Sequence, residues 1–207
     1  NMEVRKEDLR GATWLYMTGL GKGWKENLAD VAQAIRENGI KLAWNPGAEE
    51  IAGGRRDLDV LLRETELFIV NKDEAIELVL GDSGAGISGS ELNDMARLID
   101  AIKRWGPKNV VVTDGKNGAC MRTQEADFSV PALIRRQVDT TGAGDAFVAG
   151  LLAGILAEPE ALNEPAALRH VVLRANACGA LATTQFGAIP ALPTGATVDA
   201  FLSVRGR

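Results

Sequence analysis

The 207-residue chain carries 23 basic and 28 acidic side chains, a net charge of −5, and 46% hydrophobic residues. That much apolar material can form a core and excludes a disordered chain. The negative balance, with no Lys/Arg cluster longer than a pair, argues against nucleic acid or an anionic membrane as the main partner.

The first ten residues, NMEVRKEDLR, lack the apolar segment of a secretion signal. No run approaches the roughly 20 apolar residues of a membrane span, so the expected location is cytoplasmic. Ala12 to Met17 reads as a strand. Leu28, Val31, Ala32 and Ile35 fall at i, i+3, i+4, i+7, predicting a helix with one apolar face and Gly39 at its C-cap. Ile40 to Trp44 predicts a strand stopped by Asn45-Pro46-Gly47. Leu58, Leu61 and Leu62 mark a short helix, Leu67 to Val70 a buried strand, and about Asp73 to Leu80 another helix. Ser88 and Glu91 suggest a capping box for the helix carrying Leu92, Met95, Ile99 and Ile102. Asn109 to Thr113 is a fourth strand.

Strands apolar throughout and separated by helices indicate a parallel sheet covered on both faces, a three-layer αβα arrangement. From Asp114 the rhythm changes. Turn signals at Asp114-Gly115 and Asn117-Gly118 precede short extended runs, so antiparallel strands are expected there. The end reads as two helices, Ala146 to Ala157 and about Pro165 to Thr184. The whole is expected to be one α/β domain without a linker. The two cysteines, Cys120 and Cys178, stand far apart and form no CxxC pair, which suits a reducing compartment and neither a disulfide framework nor a zinc site.

Two glycine-rich stretches invite a ligand. Gly84 to Gly89 matches GxGxxG, but dinucleotide chemistry needs the glycines between a strand and a helix. Here a helical segment precedes them, so a surface loop is expected. No GxxxxGK[ST] occurs. The stretch DTTGAGDAFVAG, Asp139 to Gly150, has extended Ile134 to Val138 before it and an apolar helix after it. Its glycines therefore stand at a helix start, where free N–H groups and the positive dipole end can hold phosphoryl oxygens. Asp145, in the first turn, would repel a bound anion unless it accepts a proton from a hydroxyl attacking that group. Without a ligand, the same residues read as a glycine-rich N-terminus whose Asp complements the dipole.

DTTGAGDAFVAGLLAGIL closely resembles the C-terminal signature of the PfkB, or ribokinase-like, carbohydrate kinases. The resemblance implies an anion hole at Gly142, Ala143 and Gly144 and a catalytic base at Asp145. It implies that Asn71 and Glu74, in an N-x-x-E motif, lie near ATP phosphates, with Glu74 organising Mg²⁺ through water. Read alone, that motif is a helix N-cap with an acidic first turn. By the same resemblance Thr113, Gly115 and Gly118 border the nucleotide and Asn176 lies against its base. Asp139, Thr141, Ala182 and Gly187 would enclose a monovalent cation such as K⁺, mostly through backbone oxygens.

The resemblance begins near Trp14. It implies that the opening strands, the lid and the sugar-holding positions of the family are absent from this chain, leaving an exposed sheet edge that favours homo-oligomers. The expected function is transfer of the γ-phosphoryl group of ATP to a sugar-like hydroxyl. The alternative is a nucleotide-binding remnant or interaction module without turnover. His170 and the four tryptophans are expected to be structural or surface residues.

Overall fold

The computed structural model describes residues 9–133 and 135–204, and of Asn27 the backbone only. The N-terminal stretch up to residue 8, read above for a leader, and Ile134 of the lead-in segment lie outside the described residues. Six strands join one sheet in the order β1 to β6: Trp14–Met17, Lys41–Trp44, Thr65–Asn71, Asn109–Thr113, Ala119–Arg122 and Asp127–Val130. The first three run parallel, with Trp14 opposite Lys41 and Trp44 opposite Phe68. Only four or five residues connect β4 to β5 and β5 to β6. A parallel crossover needs a dozen or more, so these pairs are antiparallel. The expected fold class is the one found.

Two compact units share the chain: Asn1–Val112 with Met121–Gln124, and Thr113–Cys120 with Glu125–Arg207. In the first, consecutive residues of β2 (Leu42 to Trp44), β3 (Leu67 to Val70) and β4 (Asn109 to Val112) are all buried. Alternation puts successive side chains on opposite faces, so both faces of these strands are covered. Trp44, completely buried, meets Phe68 edge-on with centroids 5.8 Å apart, a geometry worth about 0.5–1.5 kcal/mol beyond area burial. Trp105 is also buried, and its indole N–H donates to Asp82.

Helix α1 (Leu28–Asn38) buries the predicted stripe. It ends at Gly39, with φ 64°, where the Ile40 N–H donates back to the Ile35 carbonyl, the bond of a Schellman cap. The short helix expected around Leu58 is the second half of α2 (Ala48–Leu62), which turns sharply at Gly54. Helix α3 (Lys72–Leu80) follows β3 directly. The Ser88–Glu91 capping box exists but closes only a 3-10 turn, Gly89–Glu91. Helix α4 (Met95–Arg104) starts later, because Asp94 takes the cap by accepting from the Ala96 and Arg97 N–H groups. The GxGxxG stretch follows α3 rather than a strand, as the surface-loop reading requires.

In the second unit α5 (Ala143–Ala157) and α6 (Pro165–Ala182) pack together, and α7 (Gly195–Ser203) lies against α6. Sequence reading missed α7. Arg135 to Val138 form no strand, although the Val138 and Asp139 N–H groups both donate to the Thr183 carbonyl, at 2.7 and 3.2 Å.

Candidate functional site

Helix α5 opens at Gly142, whose φ of 79° is a left-handed conformation that glycine adopts without a Cβ penalty. A Cβ there would also lie 2.6 Å from the Ala188 methyl. The Ala143 N–H donates to the Thr140 carbonyl and the Ala146 N–H to the Gly142 carbonyl. Between them, the N–H groups of Gly144 and Asp145 have no acceptor among the described residues. Gly144 is open to solvent, and the Asp145 carboxylate beside it is exposed. A four-turn helix thus points two free donors outward, with a carboxylate at their rim.

Beside this turn lies a cavity of about 520 Å³ within the same unit. It gathers Thr113, Gly115 and Gly118 from the turn after β4, Ala143 and Gly144 from α5, and Asn176 from α6. These residues were chosen from separate motifs, and one cavity unites them. Asp145 is not among its lining residues, nor are the lining residues acidic.

The glycine at 118 has a steric cause. Its φ is 100°, and a Cβ there would lie 2.1 Å from the Val130 carbonyl oxygen. Asn176 is buried and spends its amide donors on the carbonyls of Val130 and Pro131, at 3.0 and 3.1 Å. It ties the end of β6 to α6, so only its oxygen and flat face remain for a ligand. The same face of α6 adds Gly179, Ala180 and Thr183 at helical spacing, which sequence reading passed over. Lys116 and Arg135 also line the cavity without belonging to any motif position.

In the first unit Asn71 and Glu74 form a reciprocal cap at the start of α3. The Asn71 side chain accepts from the Glu74 N–H at 2.9 Å, and the Asn71 N–H donates to Glu74 Oε2 at 2.8 Å. Burial pushes the Glu74 carboxyl above its ordinary range, the Asn71 N–H opposes this, and Asp73 and Glu77 add to it. The second carboxylate oxygen has no hydrogen-bond partner among the described residues. Asn45, read only as a strand stop, directly follows β2, whereas Asn71 is the last residue of β3; the Asn45 side chain donates to the Ile69 carbonyl at 2.9 Å. Both asparagines stand at the C-terminal ends of parallel strands, where open α/β sheets bind ligands. That topological rule is the signal that could have found Asn45.

Asp139, Thr141 and Gly187 are joined directly. The Thr141 and Gly187 N–H groups donate to the two oxygens of the Asp139 carboxylate, at 2.9 and 3.0 Å. Those bonds, Gly187's foremost, hold its carboxyl below the usual carboxylate range. Ala182, buried at the end of α6, makes no bond to these three. Among the described residues no three His, Cys, Asp or Glu side chains gather as metal ligands, and both cysteines are free. His170 is exposed on α6. No described helix is long and apolar enough to cross a membrane.

Residues 1–195 match the pfkB family of carbohydrate kinases. The chain belongs to this family. Among pfkB-family relatives, rice (Oryza sativa subsp. japonica) fructokinase-2 is 33% identical over 178 residues, covering 83% of this chain and 49% of its own length. The chain spans about half the length of the curated relatives it matches. A Vibrio cholerae fructokinase, solved with fructose, ADP and calcium, superposes with a TM-score of 0.73 at 26% identity, over 96% of this chain and 64% of that one. An E. coli putative ribokinase II, solved with ATP and Mg²⁺, superposes with a TM-score of 0.75 over 97% and 62% of the two chains. At its 24% identity that likeness concerns the fold of this pfkB-family chain.

Proposed function

We propose that this pfkB-family chain carries the nucleotide-binding and transfer machinery of an ATP-dependent kinase acting on a hydroxyl group of a sugar or sugar-like acceptor. The observation that carries the reading is the start of α5. Its two unpartnered N–H groups, at Gly144 and Asp145, stand beside an exposed carboxylate and an acid-free cavity. Phosphoryl transfer needs positioned donors for charge on the transferred group and a proton acceptor for the attacking hydroxyl. The Gly144 and Asp145 N–H groups, in the turn opened by Gly142 and Ala143, supply the first and the Asp145 carboxylate the second. Thr113, Gly115, Gly118 and Asn176 border the nucleotide.

Mg²⁺ keeps several waters and asks for few protein oxygens, so the single free oxygen of Glu74, beside Asn71, suits it. When bound, the ion neutralises phosphate charge. With both Asp139 oxygens held by backbone donors, K⁺ would be left with the backbone carbonyls of Asp139, Thr141, Ala182 and Gly187. The fructose and ADP bound by the Vibrio relative support a sugar acceptor and an adenine nucleotide.

The test is Asp145→Asn in the full-length protein, assayed over a sugar panel with ATP titrations alongside. Transfer should fall by about 10²–10⁴, with nucleotide affinity changed at most a few-fold. Turnover near that of the unmodified protein would remove Asp145 from the base role. Nucleotide binding without turnover on any acceptor would favour a binding module instead.

A further inference from the structure

We propose that Arg135 is a nucleobase-binding residue, its guanidinium plane backed by the Phe201 ring to form a stacking wall of the cavity beside α5. The inference rests on the nucleotide reading above and names a residue that no motif selects. Arg135 lines the same cavity as Gly144 and Asn176. Its Cζ stands 4.3 Å from the centroid of the Phe201 ring. Phe201 is itself anchored, buried in a cluster with Ala177 and Val198. Exposed arginines elsewhere, such as Arg36 and Arg63, pair with Glu64 and Asp59. Arg135 has no ion pair or hydrogen bond among the described residues, and the cavity offers it no carboxylate.

A guanidinium on an aromatic ring keeps its charge, is weakly hydrated, and is held flat. The Phe201 ring covers the guanidinium carbon from one side, 4.3 Å away. The other face and the N–H edge remain for a planar, acceptor-bearing partner, and a nucleobase has both a π-face and ring-nitrogen acceptors. Two features favour the base over the phosphates: the flat guanidinium matches a flat ring, and the phosphate donors of this reading are the N–H groups at the α5 start. A Cβ on Gly179 would lie 3.1 Å from the Ala143 carbonyl oxygen, so Gly179 marks the phosphate-holding turn. Phe201 clusters with Ala177, and Leu133 and Ala180, which also line the cavity, pack against that cluster.

The experiment compares adenosine, ADP and ATP–Mg²⁺ by calorimetric titration of the 207-residue chain and of Arg135→Leu, Arg135→Lys and Phe201→Leu. A stacking role predicts that Arg135→Leu weakens all three ligands by a similar factor, roughly tenfold. Arg135→Lys, which keeps the charge but not the plane, should be no better, and Phe201→Leu should follow. Arg135 is exposed, so Arg135→Leu remains decisive even if Phe201→Leu destabilises the fold. A loss that grows from adenosine to ATP and is rescued by lysine would make Arg135 a phosphate contact and overturn the proposal. Unchanged affinities would make it a bystander. Binding of none of the three by the unmodified chain would instead overturn the nucleotide reading itself.

Discussion

Gly150 of α5 faces Cys178 of α6 so closely that a Cβ on the glycine would stand 2.7 Å from the sulfur and 3.2 Å from the Ala175 Cα. One turn on, Gly154 meets Val171 in the same way. Contact between the two helices therefore depends on missing side chains. Gly150→Leu should destabilise by about 1–3 kcal/mol through overpacking, read as a lowered Tm. Because the nearest obstacle to the smaller Gly150→Ala change is the sulfur, Cys178→Ala should recover part of its loss. Strictly additive effects in that double-mutant cycle would show that the helices separate instead.

Gly118→Ala should be costlier than its size suggests. The obstacle is the backbone at the end of β6, 2.1 Å away at the Val130 carbonyl and 2.6 Å at the Ala132 nitrogen, and a positive φ adds strain. A loss of about 3 kcal/mol or more is expected, together with weaker ATP binding, since Gly118, Ala132 and Asn176 line one cavity. An unchanged Tm would mean that the turn after β4 is free to shift.

Glu74→Gln separates the cap from the metal. The amide oxygen can still accept from the Asn71 N–H. Because burial raises the carboxyl's pKa, its contribution to stability is present below the ordinary value and lost as pH rises through the raised one. The neutral amide avoids that loss at neutral pH. Tm at pH 7 should hold or rise slightly, while the Mg²⁺-dependent part of ATP affinity falls. A marked drop in Tm would show that the cap requires the charge.

Asp139 works in the opposite sense. Its carboxyl is held below the ordinary 3.8 by the Gly187 and Thr141 N–H groups, so its stabilising effect is present above the unfolded value. The Tm difference between the unmodified chain and Asp139→Ala should be constant from pH 7 to about 5. It should shrink as pH falls below the unfolded value and through the lower folded one. A difference that persists unchanged at the acid end would show that the charge is not what holds the Gly187 loop.

Much of the fold was legible because its signals are local. The stripe Leu28, Val31, Ala32, Ile35 and the stop at Gly39 predicted α1 and its cap. The start of α2 was hidden by Gly53-Gly54, and the helical path is interrupted there: Gly54, with φ 73° and ψ 173°, joins two helical segments across a kink. The Ser88–Glu91 box is real, yet Asp94 competes for the same role six residues later and wins the longer helix.

The make-up of the α5 start was likewise legible in the sequence alone. Glycines at 142 and 144, a carboxylate at 145 and an apolar run behind them predict a helix start with free donors and a carboxylate within one turn. Only the tertiary structure decided what joins that turn. It set Asn176 against carbonyls at Val130 and Pro131, 46 and 45 residues away, and Gly142 against Ala188. It also laid Arg135 on Phe201, 4.3 Å away. Periodicity reports which face of an element is apolar, whereas these contacts depend on how elements distant in sequence pack, and packing distances leave no local trace in a single sequence.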